Sequence, residues 1–370
     1  NNSTTSKLMK KEIAPHLPYW SIVIPILTCF LYLGKPVEMS TMFLILLSFG
    51  LIGTILAAVH HAEVVALRIG EPLGTLVLAI AITTIEVALI VSLMLAGGEG
   101  TAFLARDTIF ATEMIIMTGI VGGCLLIGGI KFKEQNYGLD GISAALTVLT
   151  AISVLTLILP NYTTSVEGPI YNNEQLIFVS FVSLILYGSF LLMQTVKHRD
   201  YFLPLDASDH EEVHEVAPTN WVGYISTFLL IIALALVVLV AKTLSPSIES
   251  GIDSIGAPKS VVGIIIACVV LLPEALSAIK AAINNRLQSS LNLAFGSALA
   301  SIGLTIPAVA LVSIFFNLDL TLGIDVKSTV LFILSLFILS LSLRTGKTTM
   351  IQGVVLLVVF SVYLFITIVP

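Results

Sequence analysis

Charged side chains are scarce in this 370-residue sequence. Aspartate, glutamate, lysine and arginine make up 11% of the residues, whereas hydrophobic residues make up 57%. Soluble domains carry about 25% charged residues, so a soluble fold is excluded. A separate soluble catalytic domain is excluded as well, because the longest hydrophilic interval covers only residues 197–220.

Cysteine is rarer still. The three cysteines, Cys29, Cys124 and Cys268, all lie in apolar stretches. We therefore expect small buried side chains and no disulfide framework. A cleaved secretory signal is not expected either, because many apolar blocks follow the first one, which is typical of a first spanning helix.

Long apolar runs are what the sequence has in abundance. About twenty apolar residues cross the hydrocarbon core of a bilayer as a helix, whereas a barrel would show short alternating segments. The sequence therefore predicts an all-α polytopic membrane protein with about eleven transmembrane helices. The predicted spans are 19–34, 40–60, 72–96, 108–130, 139–160, 174–196, 220–242, 258–283, 289–316, 327–343 and 349–369.

The positions of lysine and arginine indicate the orientation. With the amino terminus in the cytoplasm, twelve of these residues fall on the cytoplasmic side and five fall outside. Because cytoplasmic loops carry the excess of basic residues, we expect a cytoplasmic amino terminus and an external carboxyl terminus. The predicted location is the inner (plasma) membrane.

The hydrophilic interval separates two groups of five spans, which follow one extra span. Because five is odd, two related halves must lie in opposite orientations, which is the inverted repeat of many secondary transporters. The predicted organisation is an amino-terminal tail and extra helix at 1–39, a first five-helix repeat at 40–197, a cytoplasmic acidic loop at 198–219 and a second five-helix repeat at 220–370.

Each half has one glutamate deep in its second span. Glu86 lies in AIAITTIEVALIVSL at 79–93, 14 residues after Pro72, and Glu274 lies in IIIACVVLLPEALSAIK at 264–280, 16 residues after Pro258. At 1.5 Å per residue, each carboxylate is about 21–24 Å along its helix. One helix enters from the cytoplasm and the other from outside, so the two carboxylates are predicted to converge.

Two converging carboxylates predict a cation/proton antiporter. A charge near a helix centre costs about 2.5–3.5 kcal/mol to insert, so we expect both side chains to face a cavity or a partner. Carboxylate oxygens, completed by hydroxyl, amide and carbonyl oxygens, suit Ca²⁺, and protons can neutralise the same pair. Mutually exclusive occupancy is the minimum requirement for exchange. The further predicted cation- or proton-binding residues are Thr83, Thr84, Asn292, Ser297 and Ser301.

Other acidic and histidine residues are weaker candidates. Glu113, Asp107, His61 and Glu63 could line the pathway, although Asp107 follows Arg106 and fits an interfacial pair, and residues 59–72 fit an ordinary solvated helix end. The residues predicted to sense cytosolic cations are Asp206, Asp209, Glu211 and Glu212, for which a solvated linker is the alternative. GIVGG at 119–123 is predicted to be a packing face.

These stretches resemble the cation/calcium exchanger superfamily, and specifically its bacterial calcium/proton antiporters of the ChaA type. The matching text is HAEVVALRIGEPLGTLVLAIAITTIEVALIVSLMLAGG at 61–98, ARDTIF at 105–110 and LLPEALSAIKAAINNRLQSSLNLAFGSALASIGLTIP at 271–307. The resemblance covers about residues 40–370. It implies two inverted repeats with one essential acid each, here Glu86 and Glu274, and a serine-bearing helix at Gly296 and Ser297.

The sequence departs from the superfamily before each acid. Ile82-Thr83 and Val270-Leu271 stand where many of these exchangers have Gly-Asn. Members of this branch are associated with Ca²⁺, Na⁺ and sometimes K⁺, each exchanged for H⁺. The resemblance therefore implies exchange without ranking the cations.

Three functions are weighed against Ca²⁺/H⁺ antiport. Na⁺(K⁺)/H⁺ antiport for salt and alkali tolerance is the nearest alternative. A passive cation channel would show rings of identical charge from several subunits, and a membrane enzyme would need a nucleophile, a base or a metal centre. We expect no enzymatic activity, no cofactor besides the transported ions and no nucleotide or nucleic-acid partner. The expected partners are the lipid bilayer, the cation and protons, and a homo-oligomer is left open.

Overall fold

The chain folds almost entirely into helices. The computed structural model describes residues 17–36, 38–70, 73–96, 101–203, 217–254, 256 and 258–369. Within these ranges, nine segments are long and apolar enough to cross a membrane, and two shorter apolar helices lie at Tyr19–Leu33 and Val326–Ser342. The predicted all-α polytopic architecture with eleven helical spans is confirmed.

The helices are α1 Tyr19–Leu33, α2 Thr41–Ile69, α3 Leu73–Ala96, α4 Leu104–Met114, α5 Val121–Phe132, α6 Leu139–Ser153, α7 Asn173–Leu192, α8 Asn220–Ser254, α9 Ser260–Ile283, α10 Leu287–Phe316, α11 Val326–Ser342 and α12 Met350–Ile368. Short 3₁₀ helices occupy Thr101–Phe103, Leu159–Tyr162 and Arg199–Phe202.

Within the described ranges, three spans contain a π-helical segment. In the fourth span, Ile115–Ile120 joins α4 to α5, and Val154–Ile158 and Met193–Lys197 extend α6 and α7. The first of these segments contacts α9, α10, α11 and α12. Because π segments are rare and frequent at functional sites, the middle of the fourth span is a position of interest.

Two short strands connect distant parts of the sequence. β1, Glu134–Asn136, pairs antiparallel with β2, Lys347–Thr349. β1 follows the fourth span and β2 precedes the eleventh, so the pairing joins one connection from each predicted repeat. Gln135 at the centre of β1 is 2% exposed.

One predicted boundary is wrong in an informative way. The second span is expected to end at residue 60, but α2 continues to Ile69. Its last turns contain histidine, glutamate and arginine, which lower the hydropathy without disfavouring a helix. Residues 59–69 are therefore helical, and Gly70, with a φ of 75°, ends the helix where an L-residue would be strained.

The chain divides into two compact units. The first contains residues 1–96 and 211–250, hence α1, α2, α3 and most of α8, and the second contains residues 97–210 and 251–370. In the first, Leu47 of α2 packs against Leu236, Val240 and Leu244 of α8. Each unit takes helices from both predicted repeats, and the inverted relation of the repeats stays a prediction.

Glycines set the closest helix crossings of the second unit. An added Cβ at Gly122 would lie 3.0 Å from the Leu356 Cβ, and one at Gly119 would lie 3.4 Å from the Phe360 ring. The predicted packing role of GIVGG is confirmed for these two glycines. At Gly263 in α9, an added Cβ would lie 2.8 Å from the Asp107 carbonyl carbon, so α9 and α4 cross there almost at backbone contact.

Candidate functional site

Glu86 lies near the middle of α3 in the first unit. It is the fourteenth residue of this 24-residue helix, counting from Leu73, and its side chain is 2% exposed. Thr83 lies three residues earlier on the same helix face and is also buried. Burial of a carboxylate beside a hydroxyl, in a span with few other polar groups, is the environment expected of an ion-binding side chain.

Thr84 is placed differently from Thr83. Its side chain is exposed, and its hydroxyl donates to the carbonyl oxygen of Ile80 in the same helix, at 2.7 Å. Adjacent residues on a helix point in directions about 100° apart, so Thr84 leaves the face that Glu86 and Thr83 share. Thr83 is therefore the threonine that lies on the same helix face as the Glu86 carboxylate.

Glu274 occupies the matching position in α9 of the second unit. It is the fifteenth residue of a helix of 24, counting from Ser260, and both of its carboxylate oxygens are buried. Pro273 lies inside this helix and has no N–H, so the carbonyl of Val269 has no intrahelical donor. At membrane depth such a carbonyl needs another partner or an ion.

The predicted serines lie on the neighbouring helix. α10 packs against α9, and Ser301 and Thr305 on it are 6% and 0% exposed, whereas Ser297 is half-buried. The structure therefore brings Glu274 and the row of hydroxyls into one bundle of the second unit.

Both ends of the Asn292 amide form hydrogen bonds within the protein. Its Nδ2 donates to the Phe202 carbonyl at 2.6 Å, and its Oδ1 accepts from Gln288 Nε2 at 3.1 Å. Gln288 Oε1 in turn accepts from the Gly138 N–H at 2.6 Å. Through Nδ2, Asn292 anchors the 3₁₀ segment Arg199–Phe202 to α10, and its role as a cation ligand stays a prediction.

The same end of the second unit buries Tyr137, next to Gly138. Its side chain is 2% exposed, and burial raises the pKa of Tyr137 to about 12. The phenol is therefore neutral at physiological pH. It adds bulk to this end of the unit without adding charge.

The fourth span contains two acids with distinct environments. Asp107 forms a 2.8 Å ion pair with Arg106, whose Nη1 also donates to the Gly323 carbonyl at 3.1 Å. The pairing agrees with the interfacial interpretation of Asp107. Glu113 is 0% exposed and lies two residues before the π segment, so a role of Glu113 in the pathway stays a prediction.

His61 and Glu63 also separate. His61 is 0% exposed, and its Nε2 lies 3.2 Å from the Ser21 carbonyl oxygen in α1. Glu63 is exposed. An ordinary solvated helix end is therefore wrong for His61.

Several predictions fall outside these observations. Asp206, Asp209, Glu211 and Glu212 lie outside the described residues. Glu86 belongs to the first unit and Glu274 to the second, so their predicted convergence stays a prediction.

Two buried hydroxyls were missed by the sequence analysis. Thr108 and Thr112 in α4 are 0% and 2% exposed, and Thr112 directly precedes Glu113. Their four-residue spacing, which puts them on one helix face, was the available signal.

Comparison with known proteins places the chain among ion transporters. The family model described as sodium/calcium exchanger protein matches residues 39–196 and 225–369. The protein y4hA of Sinorhizobium fredii, named as an ionic transporter, is 44% identical over 360 residues, which cover 96% of this chain and 97% of that protein.

Two relatives have names that specify ions. The sodium-potassium/proton antiporter ChaA of Escherichia coli is 35% identical over 317 residues. The alignment covers 85% of this chain and 86% of that protein. The Ca(2+)/H(+) antiporter ChaA of Bacillus subtilis is 23% identical over 269 residues, covering 70% and 76%.

A solved structure shares the fold. The structure of native YfkE superimposes with a TM-score of 0.68 at 19% identity, over 88% of this chain and 92% of that one. At this identity the likeness concerns the fold alone.

Proposed function

Because the chain belongs to the sodium/calcium exchanger family of transporters, we propose that it is a cation/proton antiporter that exports Ca²⁺ in exchange for H⁺. The observation that carries the proposal is a buried carboxylate at the same place in two helices of equal length, Glu86 in α3 and Glu274 in α9. The reaction moves ions across the membrane and leaves them chemically unchanged, so we assign neither an enzymatic activity nor a cofactor.

Exchange follows from competition at each carboxylate. A carboxylate buried in a span is neutralised either by a proton or by a cation, because an uncompensated charge at that depth is costly. Hydroxyl oxygens from Thr83 beside Glu86, and from Ser297 and Ser301 beside α9, would complete the oxygen shell that Ca²⁺ prefers. Release of protons then accompanies cation entry, and proton uptake accompanies cation release.

Na⁺(K⁺)/H⁺ exchange is the second candidate. It is favoured by the Escherichia coli relative, whose name specifies sodium, potassium and protons and whose identity to this chain is 35%. Carboxylate and hydroxyl oxygens also bind monovalent cations, so the ligand types do not separate the two candidates. The choice requires a direct measurement.

The test uses purified protein in liposomes with an acidic lumen and a pH-sensitive dye. Adding Ca²⁺ outside should alkalinise the lumen, because cation entry drives proton exit, and Na⁺ and K⁺ should produce a much smaller signal. A signal with Na⁺ or K⁺ but not with Ca²⁺ would establish the second candidate. Cation flux that does not change the lumenal pH would indicate a channel and contradict both.

The carboxylates are tested in the same assay. Glu86→Gln and Glu274→Gln should each insert into the membrane and lose coupled exchange. A neutral amide binds the transported cation weakly and does not take up the proton. Glu134→Gln, the same change at an exposed residue of β1, is the matched control and should exchange normally. Wild-type rates in both membrane variants would refute the assignment of the site.

A further inference from the structure

A buried histidine in the first unit is held in one tautomer. Nε2 of His61 lies 3.2 Å from the Ser21 carbonyl oxygen. A carbonyl oxygen only accepts hydrogen bonds, so Nε2 is the nitrogen that carries the hydrogen. In neutral His61 the free lone pair is therefore on Nδ1.

The Ser21 carbonyl needs this donor because of a proline. In an α-helix the carbonyl of residue 21 accepts from the N–H of residue 25. Pro25 lies inside α1 and has no N–H. Ser21 is itself 0% exposed, and a buried carbonyl without a donor is costly. His61 supplies the missing donor from α2.

The other ring nitrogen is available for a proton. Nδ1 of His61 is buried, and no group in the described part of the chain hydrogen-bonds to it. The ring of His60 lies 5.8 Å away, between centroids, and the Trp20 ring lies 5.5 Å from that of His60. One side of the imidazole is thus fixed to the backbone, while the other side is an acceptor.

His61 lies between Glu86 and the α2–α3 connection. α2 and α3 form an antiparallel pair, because an added Cβ at Gly74 would lie 2.3 Å from the Ala66 carbonyl oxygen. Counting from that contact, Glu86 is level with Thr54 of α2. His61 is seven residues closer to the connection, which is about 10 Å along the helix axis.

We propose that His61 is a proton-transfer residue of the exchange reaction, and this proposal rests on the proposed function. A proton leaving the Glu86 carboxyl passes through water to Nδ1 of neutral His61 and leaves a carboxylate that can bind the cation. The imidazolium then gives the Nδ1 proton to water at the α2–α3 connection. Throughout the transfer, Nε2–H stays bonded to the Ser21 carbonyl, which keeps the ring in one orientation.

Other ionisable side chains lie on the helices of this unit. Among the side chains that the structure describes, they are Tyr19, Cys29 and Tyr32 on α1, His60, Glu63 and Arg68 on α2, Glu86 on α3 and Tyr224 and Lys242 on α8. Of these side chains only Glu86 is buried, so in the described part of this unit His61 is the buried ionisable group that lies between Glu86 and the α2–α3 connection.

The test is His61→Gln in the liposome assay across a pH series. Glutamine keeps an N–H donor for the Ser21 carbonyl but has no nitrogen that accepts a proton. We expect the rate of exchange to fall on the order of tenfold or more, with loss of one titration from the pH profile. Equilibrium binding of Ca²⁺ at fixed pH should be unchanged.

Pro25→Ala is the matched control. It restores an N–H that competes for the Ser21 carbonyl, so it weakens the α1–α2 contact but leaves the imidazole in place, and it should keep the wild-type pH profile. If Pro25→Ala and His61→Gln show the same loss, His61 is only a structural clamp. An unchanged rate and profile in His61→Gln also overturns the proposal.

A double variant covers the case in which His61→Gln does not fold. In Pro25→Ala/His61→Leu, the backbone N–H restored by the first substitution satisfies the Ser21 carbonyl, so loss of the imidazole leaves no buried carbonyl without a donor. This variant should fold and show the same loss of exchange, and wild-type exchange in it would refute the proposal. Absence of cation-driven proton movement in the wild-type protein would instead refute the proposed function.

Discussion

At the scale of single residues, burial separates side chains that the sequence presents as equivalent. Thr83 and Thr84 are neighbours of the same type, yet only Thr83 is buried on the face of Glu86. His61 and Glu63 occupy one polar stretch, yet only His61 is buried. The rotation of each helix about its own axis decides which of these side chains is buried. A single sequence does not indicate that rotation where the surrounding residues are apolar on every side.

Asn292 gives a residue-scale prediction. Asn292→Ala should lower the free energy of unfolding by about 1–3 kcal/mol, because the Phe202 carbonyl loses its donor. If the amide only anchors the 3₁₀ segment, the concentration of Ca²⁺ that half-saturates exchange should stay the same. Thermal melting in detergent and the liposome assay measure the two quantities.

Ser297→Ala is the comparison for Asn292. Ser297 is a predicted ligand that the structure does not test, and its alanine variant should raise the half-saturating Ca²⁺ concentration with little change in melting. The opposite pattern, with Asn292→Ala weakening cation binding at unchanged stability, would show that Asn292 is a cation ligand, as the sequence analysis predicts.

At the scale of elements, hydropathy predicts the limits of the spans well but does not predict the helix type inside them. The predicted span 139–160 and the observed one, which starts at Leu139 and ends at Tyr162, differ by two residues. The agreement is close because the apolar run and the residues that bound it indicate the same limits. The π segment Ile115–Ile120 left no signal, since apolar residues fill it as they fill the α-helices beside it. The pairing of β1 with β2 joins residues more than two hundred positions apart and could not be inferred from three-residue patterns.

The crossing of α5 and α12 gives an element-scale prediction. An added Cβ at Gly353 would lie 2.3 Å from the Leu126 nitrogen and 2.7 Å from the Gly122 carbonyl oxygen. Both are backbone atoms, so the helices must move apart. Gly353→Ala should therefore destabilise the protein by about 1–3 kcal/mol, measured as a lower melting temperature.

Gly123→Ala is the control for this crossing. Gly123 lies on α5, one of the two crossing helices, but an added Cβ there would have no atom within 4 Å. This variant should melt at or slightly above the wild-type temperature, because alanine favours a helix more than glycine does. If both variants lost the same amount of melting temperature, the replacement of glycine by alanine in itself, and not the close approach of the two helices, would explain the loss of stability.

At the scale of the whole molecule, the compact units do not follow the order of the sequence. α8 begins the second predicted repeat but belongs to the unit of α1, α2 and α3. A repeat is a property of the order of elements, whereas a compact unit is a property of packing, so the first does not determine the second. The resemblance stated from sequence motifs gave the correct family, while the grouping of helices required the structure.

Orientation in the membrane is tested by the accessibility of introduced cysteines. Cys29, Cys124 and Cys268 are first replaced by serine, and a cysteine is placed at either Glu134 or Glu174, both of which are exposed. The excess of basic residues predicts that Glu134 is cytoplasmic and Glu174 external. A membrane-impermeant maleimide should label the cysteine at 174 in intact cells and the one at 134 only after permeabilisation.

The two positions check each other. One apolar segment, Leu139–Tyr162, lies between them, so they must be on opposite sides if that segment crosses the membrane. Labelling of 134 alone in intact cells would reverse the orientation of the whole chain, and it would place the α2–α3 connection outside. His61 would then exchange protons with the external side, whereas an inward proton gradient would still drive the cation outward, because antiport moves the two ions in opposite directions.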